Sequence, residues 1–187
     1  MIDKILGKIR ALIEDAPSQS DVETFTYSNS SVFTLAEENI SDITQVTKNG
    51  TALGSGEYSY DSTTNELTIT ASLSDGDIII VKYTFYKYSE TELEEFVRAS
   101  LVWISVFSYC ETDYELEDSE IFPTPSNKDT DLIALIGSIL IKPDYSQYKL
   151  PNLTVNYPRT MPKEERIEKL IKKFSQGLGV CEILEWD

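Results

Sequence analysis

Histidine is absent from all 187 residues. The commonest general base and the commonest transition-metal ligand are therefore missing together. Only two cysteines occur, Cys110 and Cys181. Far apart in sequence, they cannot form a structural zinc site unaided, set no disulfide framework, and point to a reducing or indifferent compartment. Cys110 follows an apolar stripe and reads as a small buried residue. Basic side chains are scarce: 16 Lys and Arg stand against 32 Asp and Glu, a net charge of −16. Such a surface repels nucleic acid, whose grip on proteins comes mainly from basic groups neutralising phosphates, and it repels an anionic membrane equally. Its ordinary reading is a solubilising acidic face. Long apolar runs are missing too. LIALIGSILI, residues 132–141, falls far short of the ~20 residues a membrane span needs. Residues 1–13 alternate charged and apolar side chains, so no signal peptide is expected. The sequons beginning at Asn29, Asn39, Asn49 and Asn152 then read as chance. There is no phosphate-cradling Gly-rich loop and no GxSxG elbow. GSG at 54–56 lies between strand signals and reads as a loop.

What remains for chemistry is carboxylate, unevenly spread. Residues 20–89 carry 3 basic against 10 acidic side chains and 90–127 carry 1 against 10, while the other segments balance. Two carboxylates can run glycoside hydrolysis without histidine. Candidates are Glu111, Asp113, Glu115, Glu117, Asp118 and Glu120, or Asp75 with Asp77. The same oxygens suffice for calcium, although neither stretch has the spacing of a calcium loop. Clustered exposed acids are ordinarily a solvated run. No catalytic residue, cofactor or metal site is therefore assigned, and a non-enzymatic soluble protein is expected.

The opening MIDKILGKIRALIEDAP sets Ile2, Ile5, Leu6, Ile9, Leu12 and Ile13 at helical spacing, with Pro17 as its stop. It predicts an amphipathic helix in need of a partner. From about 21 to 88, Ser, Thr, Tyr and β-branched residues alternate with turn signals, predicting a run of short strands. Asn49-Gly50 suits a two-residue hairpin turn, Asp61 to Asn65 a second turn and Ser74 to Asp77 a third. Leu67, Ile69, Ala71 and Leu73, then Ile79, Val81, Tyr83 and Phe85, fall at period two and mark buried faces. At Ser89 the period becomes helical, with Ser89 or Thr91 as N-cap and a stripe of Leu93, Phe96, Val97, Leu101, Ile104 and Phe107. The acidic, Pro-containing stretch 111–127 reads as an exposed loop. Residues 129–141 predict a helix apolar nearly all round, and 143–160, with three prolines, an extended connection. A last helix over 161–176 has Thr160 as its cap, Pro162 in its first turn and Gly177 as its stop. A lone N-terminal helix must pack on the later ones. The expected fold class is thus α+β: a small antiparallel helical bundle (1–19 plus 89–177) with an antiparallel β-sandwich (20–88) inserted after the first helix. Residues 178–187 form a C-terminal tail whose apolar members are Leu178, Val180, Ile183, Leu184 and Trp186. Aromatic anchors such as Trp are typical of interfaces, and the competing reading folds the tail onto its own domain.

These features together resemble the head–tail connector (neck adaptor, or head-completion) proteins of tailed bacteriophages. The helical segments 1–16, 89–110, 129–141 and 161–176 resemble the small bundle of such adaptors. The β-segment resembles a sandwich module of phage virion proteins, carried here by Val46, Asn49, Gly50, Tyr58, Tyr60, Asp61, Leu73, Gly76, Asp77, Ile79, Val81 and Tyr83. Minimal adaptors are all-helical, so the sandwich is a departure from the pattern. The resemblance implies a structural virion protein, assembled in the host bacterial cytoplasm as a homo-oligomeric, twelvefold ring between portal and tail. It implies as partners the portal protein and a neighbouring neck or tail protein, with genomic DNA passing through unbound and no membrane involved. Leu178, Val180, Ile183, Leu184 and Trp186 would dock on the portal. Deleting 178–187 is then expected to weaken portal association and leave the monomer folded. The alternative is a carbohydrate- or receptor-binding sandwich on a helical stalk, with Tyr58, Tyr60, Tyr83, Tyr86 and Tyr88 as a stacking platform.

Overall fold

The computed structural model describes residues 1–17, 19–107, 113–176 and 182–185, with residues 19–20 and 182–185 described by backbone alone. The architecture is α+β, with four helices and mostly antiparallel sheets among the described residues. The chain divides into two compact units. One gathers Met1–Asp15 and Glu90–Asp187, the other is Ala16–Ser89.

In the first unit, α1 (Ile2–Ile13) buries all six residues of its predicted stripe. It stops before Pro17: Glu14 turns into the left-handed region at φ 59°, and its N–H closes on the Arg10 carbonyl. Helix α2 (Glu90–Val106) buries Leu93, Val97, Ser100, Leu101 and Ile104. Helix α3 (Asn127–Ile141) is covered nearly all round, as its unbroken apolar run requires. It begins on a capping box: Ser126 Oγ accepts from the Asp129 N–H at 3.2 Å, and the Asp129 carboxylate accepts from the Ser126 N–H at 3.3 Å. α1, α2 and α4 (Lys163–Ser175) all pack against α3. At Gly137 the neighbouring helices come close, since a Cβ there would lie 3.1 Å from Ile9 Cδ1 and 3.4 Å from Ser100 Oγ.

Four expectations fail in this unit. Phe107, expected in the buried stripe of α2, lies exposed just past its end. The acidic stretch is not simply a loop: Glu115–Glu117 (β8) and Glu120–Phe122 (β9) form a hairpin, with Leu116 opposite Ile121 and both buried. The acids flanking them alternate outward at period two, a pattern masked by the density of charge. The extended connection is also a hairpin, Gln147–Leu150 (β10) against Leu153–Asn156 (β11), turned at Pro151-Asn152. Finally, Pro162, not Thr160, holds the N-cap position of α4, without a side-chain cap. Gly177, proposed as the stop, lies outside the described residues.

The second unit holds two antiparallel sheets. One has the order β1-β7-β3-β4, from Gln19–Thr26 (β1), Ile40–Lys48 (β3), Thr51–Ala52 (β4) and Ile78–Phe85 (β7). The other has the order β2-β6-β5, from Val32–Thr34 (β2), Tyr58–Asp61 (β5) and Glu66–Ile69 (β6). Phe33, Leu67 and Ile69 from the second sheet meet Val46, Ile79, Val81 and Tyr83 from the first in one buried cluster. Asn49 and Gly50 take φ of 49° and 83°, the pair of left-handed residues a tight hairpin turn needs. Asn49 then clasps the third turn. Its amide donates to Asp77 at 2.7 Å and accepts from the Ile78 N–H at 2.8 Å, while Asp77 accepts from the Ser74 N–H at 2.8 Å. These bonds, with Lys48 3.1 Å away, hold the Asp77 carboxyl below the usual carboxylate range.

Candidate functional site

The C-terminal segment was singled out for docking, and the structure gives part of it a place. Glu182–Glu185 (β12) pairs in parallel with β11, setting Ile183 beside Thr154 and Leu184 beside Val155. Chain order makes this a strand–helix–strand unit, β11-α4-β12, with β10 on the far side of β11. Leu178, Val180 and Trp186 lie outside the described residues. β12 is an edge strand of its sheet, so one of its backbone edges is not engaged by β11.

Arg166 secures the frame of that sheet. It is 1% exposed, and its guanidinium donates to five carbonyls: Pro143, Tyr145, Pro158, Arg159 and Met161, at 2.6–3.2 Å. It also lies 5.5 Å from the Tyr157 ring centroid. The segments entering β10 and leaving β11 are thereby tied to the first turn of α4. Sequence reasoning passed over Arg166, because one arginine among charged helix residues looks solvated. The carbonyl-rich, Pro-broken segments around it were the available signal.

A second surface lies on α2. Beyond its buried stripe, Val102 and Val106 are 59% and 69% exposed, and Phe107 is 37% exposed. Trp103 stacks on Phe107 with ring centroids 5.7 Å apart. LVWISVF is apolar except at Ser105, so one face covers α3 and apolar side chains are left over on another among the described residues. A groove runs between this face and β8, floored by Leu101, Val102, Val106 and Leu116 and bordered by Asp113, Glu115 and Glu117. Arg98 donates to the Leu116 carbonyl at 3.0 Å at one point and Ser105 meets Asp113 at 3.3 Å at another, joining helix to hairpin.

The carboxylates considered for catalysis or calcium are deployed otherwise. Asp77 is engaged in its turn. Glu115, Glu117 and Glu120 are exposed on the outer side of the hairpin. Among the described residues no group of three or more Cys, Asp or Glu is arranged to hold a metal ion. Glu111, Cys110 and Cys181 lie outside the described residues. The tyrosines of the platform reading are partly taken up by the core of the second unit. Tyr83 is buried and donates to Glu23, while Tyr58 and Tyr60 pack against the core cluster. Tyr86 and Tyr88 are partly buried. No described helix is long and apolar enough to cross a membrane.

Comparison with known proteins leaves the chain unassigned: no family model and no curated protein matches it.

Proposed function

We propose that the chain is a structural virion protein, an adaptor forming a ring between the portal and tail of a tailed bacteriophage, with DNA passing through without specific binding. In this reading Ala16–Ser89 is a β-sandwich inserted into a helical adaptor domain, and the C-terminal segment docks on the portal. The observation carrying the proposal is the apolar surface at Val102, Val106 and Phe107 that no described residue covers, in a chain with a large acidic surplus. A face of that kind marks an assembly surface. The acidic surplus suits a channel wall that lets DNA slide, because it offers phosphates no grip. The glycan-binding alternative would have to do without Tyr83, whose ring is buried.

The place of β12 changes the choice of variant. Deleting 178–187 removes a sheet strand along with the tail, so lost portal binding would be ambiguous. Truncation after Glu185 spares β12 and removes Trp186. The test is to mix purified chain with portal rings from the same genome and image the mixture by electron microscopy. Added ring density beneath the portal is expected for the full chain, and weaker occupancy for the truncated one. Bare portals with the full chain would overturn the proposal.

A further inference from the structure

We propose that the groove between α2 and the β8–β9 hairpin receives the last turn of α4 from a second copy of this chain, with Lys172 and Lys173 meeting its acidic rim. The inference rests on the ring reading and names the two faces that would join.

Val102, Trp103, Val106 and Phe107 form a contiguous apolar strip, with Val102, Val106 and Phe107 exposed. Isolated surface apolar residues are ordinary; a contiguous strip beside a groove marks a contact surface. Its rim carries Asp113, Glu115 and Glu117 against the single cation Arg98, which is bound to the Leu116 carbonyl, and residues 90–127 as a whole carry 10 acidic side chains against 1 basic. Two such faces repel each other, so the strip does not pair with its own kind across a two-fold axis. Its occupant is basic. The same unit supplies one locally: residues 169–173, on α4, carry three lysines and no acid. Lys172 and Lys173 stand exposed on the last turn of α4. Lysine suits both parts of the groove: its aliphatic stem lies along an apolar floor while the ammonium reaches the carboxylates. Joining two different faces of one chain is the head-to-tail contact from which rings are built.

Sedimentation of the full chain over a concentration series, at low and high salt, tests this. Self-association is expected at low salt and should weaken about tenfold or more as salt screens the rim. Glu115→Lys with Glu117→Lys, and separately Lys172→Glu with Lys173→Glu, should each abolish it, and the four changes combined should restore it. All four positions are exposed, and circular dichroism checks that the variants fold. A chain that stays monomeric at every concentration overturns the inference. So does association that either pair of changes leaves intact, or that the combination fails to restore. Portal rings separate this inference from the adaptor reading. Charge-reversed variants that still form rings on portals would sink the inference alone. Groove-dependent self-association with bare portals would sink the adaptor reading alone.

Discussion

Arg166 exchanges water for five backbone carbonyls, and that substitution sets its energetic weight. Truncating it leaves buried acceptors unsatisfied, each costing about 1–3 kcal/mol before relaxation. Arg166→Met is therefore expected to destabilise the fold by roughly 3 kcal/mol or more, measured by urea denaturation. Arg166→Lys should rescue little, because one ammonium cannot span the positions a planar fork reaches. The tyrosines nearby respond to alkali. Burial pushes the Tyr148 hydroxyl up to about 12, with the Arg166 charge pulling the other way, and burial raises Tyr157 further. Tyr83 is raised by burial and by its bond to Glu23. A raised folded-state pKa stabilises fully below the unfolded value and is lost as pH rises through the folded one. Stability should accordingly hold up to about pH 10 and fall above it. In an alkaline titration of phenolate absorbance, these three of the 11 tyrosines, and Tyr60, which burial and the charge of Asp61 also raise, should titrate late, as the fold gives way. A single smooth transition near the ordinary value would refute the assignment.

Among the elements, the helices follow from the apolar pattern and their contacts follow from one small residue. At Gly137 both α1 and α2 lie against α3, through Ile9 and Ser100. Gly137→Val would push branched methyls into both neighbours, and overpacking of that kind costs about 1–3 kcal/mol. A fall in melting temperature is expected, with the second unit's β-structure unaltered by circular dichroism. Unchanged melting would mean the three helices separate more easily than their packing implies. The hairpins taught a different lesson. ELE and EIF each place one apolar residue between outward neighbours, and only their pairing makes Leu116 and Ile121 a buried couple. Within a run of acids, three-residue strands give no periodic signal long enough to stand out. The tyrosine-rich connection hid β10 and β11 similarly, because its prolines suggested extension without indicating a partner strand.

At the scale of the molecule, two features stand out: the division into two units, and the acidic surplus of 90–127 within the first. Both were readable as composition. The change of period at Ser89 lies at the boundary of the units, and the acidic surplus was countable directly. The candidate site was less visible. Of its tail residues, Ile183 and Leu184 fall on β12, whose partner β11 had been read as part of a connection. The apolar face of α2 was half seen: Phe107 was assigned to the buried stripe, yet it lies with Val102 and Val106 on the exposed side. A stretch apolar all round cannot say which of its faces will be covered, so only packing separates core from contact surface.

By itself, the sequence determined the local structure: an amphipathic first helix, a β-rich segment with positive-φ turns, a wholly apolar α3 and a chain without histidine chemistry. These depend on period, turn chemistry and residue type, which act over a few neighbours. Tertiary structure alone decided that Asn49 and Asp77 share one clasp, that Arg166 is buried rather than solvated, and that the chain returns at Glu182 to lie beside Leu153. Each of these joins residues distant in sequence, and no local pattern encodes which distant backbone groups a side chain will meet.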